Sequence, residues 1–227
     1  MKKLILSSLT LASIAMNSFA GGTADPLYSK VTIDSLEKQN NDEKSLSWEG
    51  NIWTGYDLNK LYLYTEGEKG KDSSAQSENQ LVFSHAISPY WDIQIGLGYD
   101  KTPSENQTWG VLSLQGMAPY FVETRLALLS DDEGNLGMRL EAEYDALITQ
   151  KLSLSPSISS SLYSDDIPEM EIGKGLSNIT LGLRLNYDIT REFSPYIGIE
   201  WNKNYGNTND FNQNDETYAV AGFKFWF

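Results

Sequence analysis

The chain has no cysteine and a single histidine in 227 residues. Without cysteine there is no disulfide framework, no thiolate metal site and no cysteine nucleophile. One histidine excludes a His-rich metal cage built by this chain alone. Basic residues are scarce too: 17 Lys and Arg stand against 31 Asp and Glu, a formal net charge of −14. That balance speaks against a nucleic-acid partner, because phosphate backbones are held by Lys and Arg. Long apolar runs are missing beyond the extreme N-terminus, and a membrane-spanning helix needs roughly 20 apolar residues. Mean hydropathy is negative. These figures fit a soluble acidic domain. The aromatic content of 12%, with 13 Tyr and 6 Trp, is also that of a barrel with aromatic girdles.

Lys2 and Lys3 precede a mostly apolar stretch from Leu4 to Met16, and Ser18-Phe19-Ala20 matches the small-x-small cleavage rule. Residues 1–20 therefore read as a secretory signal peptide rather than a buried N-terminal helix. Loss of its two lysines would take the formal charge from −14 to −16. With no cysteine to carry a lipid anchor, the mature chain is expected in the periplasm, in the outer membrane or outside the cell. Residues 21–30 read as a short periplasmic segment and 31–227 as one β-domain.

From about residue 46 apolar and polar residues alternate with period two, the mark of a strand with two different faces. Ile179, Leu181, Leu183, Leu185, Tyr187 and Ile189 share one face, and Asn178, Thr180, Gly182, Arg184, Asn186 and Asp188 the other. Leu136, Met138, Leu140, Ala142 and Tyr144 oppose Arg139, Glu141, Glu143 and Asp145 in the same way. The breaks between strands come in two alternating styles. Short ones, often Pro-Tyr, fall at 87–90, 117–120, 147–150 and 191–196; long ones rich in charge, Gly and Asn fall at 69–77, 100–107, 130–135, 164–175 and 205–215. Short periplasmic turns alternating with longer outer loops are the layout of a transmembrane barrel. In Pro-Tyr, Pro is expected at the strand start, where its missing N–H does least harm, and Tyr at the membrane interface.

The chain ends with Ala219, Ala221, Phe223, Phe225 and Phe227 on one face, resembling the C-terminal signal read by the outer-membrane assembly machinery. Counting back gives strands near 216–227, 194–205, 176–189, 151–163, 136–147, 120–130, 107–117, 90–100, 78–87, 60–69 and 46–57. Bacterial single-chain barrels have an even number of strands, so Val31 to Glu37 supplies another. The expectation is an all-β, antiparallel up-and-down transmembrane barrel of twelve strands, or ten if the N-terminal pair lies outside the wall. A soluble β-sandwich is the alternative, but it has no reason to alternate loop lengths so regularly.

The expected inward faces carry Glu66, Glu68, Asp92, Glu123, Arg125, Arg139, Glu141, Glu143, Asp145, Arg184, Asp188, Glu200 and Lys224. Carboxylates outnumber cations in this set, which would favour cations in the lumen. The plainer reading is a salt-bridged filling that fixes register, because buried charges are usually paired. Glu123 and Arg125 should neighbour the dense row 139–144 across a hairpin. His85 follows Ser84 and shares a face with Leu81, Phe83 and Ile87, so it points toward lipid near the periplasmic rim or serves as a ligand; a catalytic role is the third choice. No nucleophile arrangement accompanies the carboxylates, so the chain is not expected to be an enzyme. Met117, Met138 and Met170 are too scattered for a thioether site.

Several segments in order resemble the copper resistance protein B family of outer-membrane proteins: Leu58-Asn59-Lys60-Leu61 running into Thr65-Glu66-Gly67-Glu68, Ser84-His85-Ala86-Ile87-Ser88-Pro89-Tyr90-Trp91-Asp92 followed by Gly98-Tyr99-Asp100, and Gln115-Gly116-Met117-Ala118-Pro119-Tyr120-Phe121. Arg139-Leu140-Glu141-Ala142-Glu143-Tyr144, Leu147-Ile148-Thr149-Gln150, Gly175-Leu176-Ser177, Gly182-Leu183-Arg184-Leu185, Arg191-Glu192-Phe193-Ser194-Pro195-Tyr196-Ile197-Gly198 and Gly222-Phe223-Lys224-Phe225-Trp226-Phe227 complete the set. The resemblance implies a Gram-negative outer-membrane barrel used in copper tolerance, with copper ions as ligand, no required cofactor, membrane lipid around it and a periplasmic copper protein as a possible partner. Family members often carry a long Met- and His-rich stretch before the barrel; here Gly21 to Lys30 contain neither residue. The family also usually has a basic residue at the position of His85. Candidate metal ligands under this resemblance are His85, Glu123, Glu141, Glu143 and Asp145, a set that suits Cu(II) better than Cu(I). A small solute-specific porin unrelated to copper is the other reading, and a lumen hydrolase using His85 the last.

Overall fold

The computed structural model describes residues 26–41, 44–71 and 74–227. The expected signal peptide, residues 1–20, and the first half of the segment 21–30 lie outside them. The wall consists of β1 (Tyr28–Gln39), β2 (Leu46–Gly55), β3 (Asn59–Lys69), β4 (Gln76–Ser88), β5 (Trp91–Lys101), β6 (Asn106–Ala118), β7 (Val122–Ser130), β8 (Leu136–Glu143), β9 (Ala146–Leu147), β10 (Leu152–Tyr163), β11 (Gly175–Tyr187), β12 (Phe193–Asn204) and β13 (Asp215–Trp226). Each pairs antiparallel with its neighbours, and β13 pairs with β1, so the sheet closes on itself. Closure removes every edge, which is what lets a sheet stand in lipid. It also excludes both the β-sandwich and the ten-strand arrangement, because β1 is part of the wall. The strand begins at Tyr28, three residues before its expected start at Val31.

β8 and β9 are one wall strand interrupted at Tyr144-Asp145, so the barrel has twelve strands. The interruption has a local cause. The Tyr144 N–H donates to the Pro156 carbonyl (3.1 Å), but Pro156 has no N–H to return the bond. The proline pattern differs slightly from expectation. Pro89 and Pro119 sit within the turns rather than at strand starts, while Pro195 is the third residue of β12. In the second of these turns Tyr120 and Phe121 both adopt positive φ (68° and 63°). Non-glycine residues rarely do this. Here two interfacial aromatics, 87% and 75% exposed, are presented to the membrane boundary.

Alternation makes the wall two-faced. Leu61, Leu63, Leu81, Phe83, Ile93, Ile95, Leu97, Leu181, Leu183, Ile197 and Ile199 are all exposed on the outside. In water so large an apolar belt would be a liability; in a bilayer it is the lipid contact. Tyr56, Tyr90, Tyr120, Phe121, Tyr144, Tyr187, Phe193 and Trp226 fall near the short-turn end and form a girdle there. Phe227 closes the seam: its carbonyl accepts from the Val31 N–H (2.9 Å) and its N–H donates to Val31 (3.0 Å). At Gly67 a Cβ would lie 2.3 Å from the Trp48 ring, so glycine is required for Trp48 to lie flat against β3.

One loop at the opposite end is folded. A short 3-10 turn (Pro168–Met170) and an Ile167–Ile172 bridge bury Ile167 and Met170 in an apolar cluster with Trp109 and Tyr163. A single-turn helix α1 (Gly206–Phe211) packs beside it. Thr208 Oγ accepts from the Gly173 N–H (2.8 Å). The Lys174 N–H (2.7 Å) and the Asn207 amide (3.0 Å) donate to Asp166 and hold its carboxyl below the usual range. The acidic loop is thus tied down, and Met170 is a packing residue.

Candidate functional site in the barrel lumen

The bore is a cavity of about 1150 Å³, and all thirteen charged residues expected to point inward line it. Alternation alone places them there. The register then decides which of them meet.

Near the loop end Arg139 is 5% exposed. It pairs with Glu78 and with Asp100 (2.6 Å), and donates to the Tyr163 hydroxyl from Nη2 (3.0 Å). Trp109, fully buried, donates its indole N–H to the same Asp100 oxygen (2.7 Å). Deeper in the bore Arg125 donates to the Gln80 amide oxygen, pairs with Glu141 (3.5 Å) and lies 4.4 Å over the Tyr64 ring. Tyr64 in turn is bonded to Gln94 (2.9 Å) and Gln115. On the far wall Arg184 grips Glu37 with two N–H groups (both 3.1 Å) and Glu200 with one (2.7 Å). The Tyr196 and Tyr218 hydroxyls donate to those carboxylates at 2.9 and 2.6 Å. Bidentate, hydroxyl-supported pairs of this kind hold geometry well. These arginines are all paired with carboxylates of neighbouring or facing strands.

Several lumen carboxylates also face one another. Glu49, Glu66, Glu78 and Asp100 stand directly opposite one another in successive strand pairs from β2 to β5, forming one row across four strands. Glu123 and Glu143 are also directly opposite each other. Like charges in such positions destabilise a sheet. Lys224 donates to Glu143 (2.7 Å). Asp92 accepts from Ser84 (3.1 Å), Asp145 from Ser155, Asp188 from Ser194 (2.5 Å) and Glu68 from Asn41 (3.3 Å).

The five candidate metal ligands are only partly brought together. Glu123, Glu141, Glu143 and Asp145 all line the bore, with Arg125 opposite Glu141 as the hairpin argument expected. His85 is on the outer face. Ser84 is 1% exposed and inward, so its neighbour must point out, and the His85 Nδ1 meets Asn59 Oδ1 at 2.8 Å. It cannot share a site with the lumen carboxylates. Among the described residues no group of three or more His, Asp and Glu has the geometry to hold a metal ion. His85→Ala is therefore expected to leave copper retention by cells unchanged; a loss would return the histidine to the site.

Sequence reasoning missed Asp34, Glu37, Glu49, Glu78 and Asp100. Ser47-x-Glu49-x-Asn51 alternates cleanly and could have exposed Glu49. Asp34 could not be found this way. The pairing of β1 with β2 slips between Ile33 and Ser35, a bulge that re-aims one side chain, and Asp34 now accepts from Asn51 (3.0 Å) inside the bore.

Comparison with known proteins agrees with this architecture. The NanC porin superposes with a TM-score of 0.55 at 11% identity, covering 87% of this chain and 99% of that one. The KdgM porin gives 0.53 at 12% identity with the same coverage. At these identities the likeness is one of fold. In sequence, copper resistance protein B of Escherichia coli is 37% identical over 203 residues, 87% of this chain and 69% of that protein. A homolog from Pseudomonas syringae pv. tomato is 38% identical over 205 residues, 88% and 70% of the two chains. The family model for copper resistance protein B precursor (CopB) matches residues 27–227. With a closed twelve-stranded wall, a lipid-facing apolar belt and this match over the whole barrel, the chain belongs to the CopB family of copper resistance proteins and is an outer-membrane β-barrel.

Proposed function

We propose that the barrel serves copper tolerance by binding or passing copper ions through its lumen, with carboxylate oxygens as the ligands and no catalysed reaction. The observation that carries this reading is the row Glu49–Glu66–Glu78–Asp100. Arg139 neutralises two members of the row, Glu78 and Asp100; Glu49 and Glu66 oppose each other directly across β2 and β3, a placement of like charges that works against folding and makes sense where a cation is the guest. Among the described residues, fourteen carboxylates and six cationic side chains line the bore, an imbalance that raises local cation concentration. Divalent copper stands at the top of the affinity order for oxygen and nitrogen sites.

The test is Glu141→Gln with Glu143→Gln, two isosteric changes that remove charge from the bore. Copper retained by cells and cation selectivity in planar bilayers should both fall. Unchanged retention and selectivity would refute the role of these groups. Unaltered copper tolerance in a deletion strain, with impaired growth on a particular solute, would favour a solute porin instead.

A further inference from the structure

Lys224 sits on β13 and Glu143 on β8, with β10, β11 and β12 between them around the wall. Adjacent strands are about 4.8 Å apart, so the arc between these two positions is roughly 19 Å. The Lys224 ammonium nonetheless lies 2.7 Å from Glu143. Both side chains therefore leave the wall and meet in the bore. They do so near the short-turn end, since Lys224 lies close to the C-terminus and Glu143 close to the end of its strand. Asp34, Glu123 and Asp145 line the same cavity.

Lys224 is built differently from Arg139 and Arg184. Arg139 and Arg184 are each tied to two carboxylates and their side chains are only 6% and 14% exposed. Lys224 is 26% exposed, Glu143 is 37% exposed, and they meet through one contact. Pairs that water reaches are weak and exchange readily. Lysine carries a compact point charge on a flexible stem, so it can leave and return without moving the backbone. A cation passing this end of the bore also meets carboxylates beside the ammonium, because Glu123 and Glu143 are directly opposed and the β1 bulge turns Asp34 inward.

We infer that Lys224 is a tethered counter-ion: its ammonium fills the carboxylate cage at the short-turn end of the bore and must be displaced by any cation that passes. The role rests on the reading that cations enter this lumen. It makes Lys224 a specificity-determining residue. A divalent ion competes with the ammonium for the same oxygens more effectively than a monovalent one, because its attraction to each carboxylate is twofold greater at equal distance.

The test uses the full-length barrel in planar bilayers, with Lys224→Gln and the charge-retaining Lys224→Arg, and with unboiled electrophoretic mobility as the check of folding. Lys224→Gln should raise potassium-over-chloride permeability and lengthen residence of Cu(II) in the bore by roughly tenfold, as expected when one competing charge is removed. Lys224→Arg should stay near wild type. A wild-type barrel closed to cations beside a conducting Lys224→Gln would support the inference in a stronger form. Conduction with equal selectivity and equal Cu(II) residence in wild type and Lys224→Gln would overturn the counter-ion role alone. A folded barrel that carries no cation in any of the three forms would overturn both this role and the passage reading beneath it.

Discussion

Replacing Arg139 by Met should destabilise the barrel by roughly 3–5 kcal/mol, the cost of removing one partner from a buried ion pair. Arg139 neutralises Glu78 and Asp100 together. Asp100 is the more costly orphan, being 3% exposed and left with only the Trp109 indole as donor. Glu78, with its side chain 37% exposed, carries the smaller share. The measurement is the urea dependence of folding into lipid vesicles, where the midpoint should fall. Adding Asp100→Asn to the Arg139→Met background should recover part of the loss, because the amide needs no counter-charge and can still accept from Trp109. Equal stabilities of Arg139→Met and wild type would mean that the cluster fills space without holding the wall.

Glu49→Gln with Glu66→Gln should weaken divalent-cation residence in the bore by at least tenfold. A single carboxylate about 4 Å from a unit charge contributes about 1 kcal/mol even at the dielectric of bulk water, and several times that nearer a protein wall. A divalent ion doubles this, and two carboxylates are lost. Tenfold corresponds to about 1.4 kcal/mol, so the expected effect exceeds that threshold on the most conservative dielectric. The readout is the concentration of Cu(II) that halves the bilayer current. Stability should rise slightly in the same variant, because two directly opposed like charges are relieved. That opposite movement separates a binding role from a structural one. A halving concentration within twofold of wild type would remove this pair from the cation path.

Much of the architecture was legible as alternation. A side chain's face in a strand depends only on whether its position is odd or even, so Arg125, Arg139, Glu141, Glu143, Arg184 and Lys224 could all be placed inside before any coordinates. Ser84 and His85 show the same rule excluding a ligand. Turn style supplied the strand order, and the terminal Phe-Trp-Phe supplied the direction of the last strand. Candidate ligands were less legible. His85 entered that set through its chemistry, which overrode the parity that placed it outside. Glu78 and Asp100 were passed over because they lie at the edges of charged loops, where strand boundaries are hard to read. Asp34 was hidden because a bulge breaks the alternation from which it would have been read.

The sequence by itself determined the wall: a period of two over eleven segments, a twelfth strand required by the even count of such barrels, short and long breaks in alternation, and an ordered set of motifs covering the barrel. These are local properties, and each can be read within a window of a few residues. Only the tertiary structure decided the pairings. Glu49, Glu66, Glu78 and Asp100 are scattered over some fifty positions and become one row only through the register of three hairpins. Lys224 and Glu143 are 81 positions apart and meet only because the curved, closed sheet points both side chains into one bore. Register and curvature are set by the whole closed sheet, and no single strand carries either.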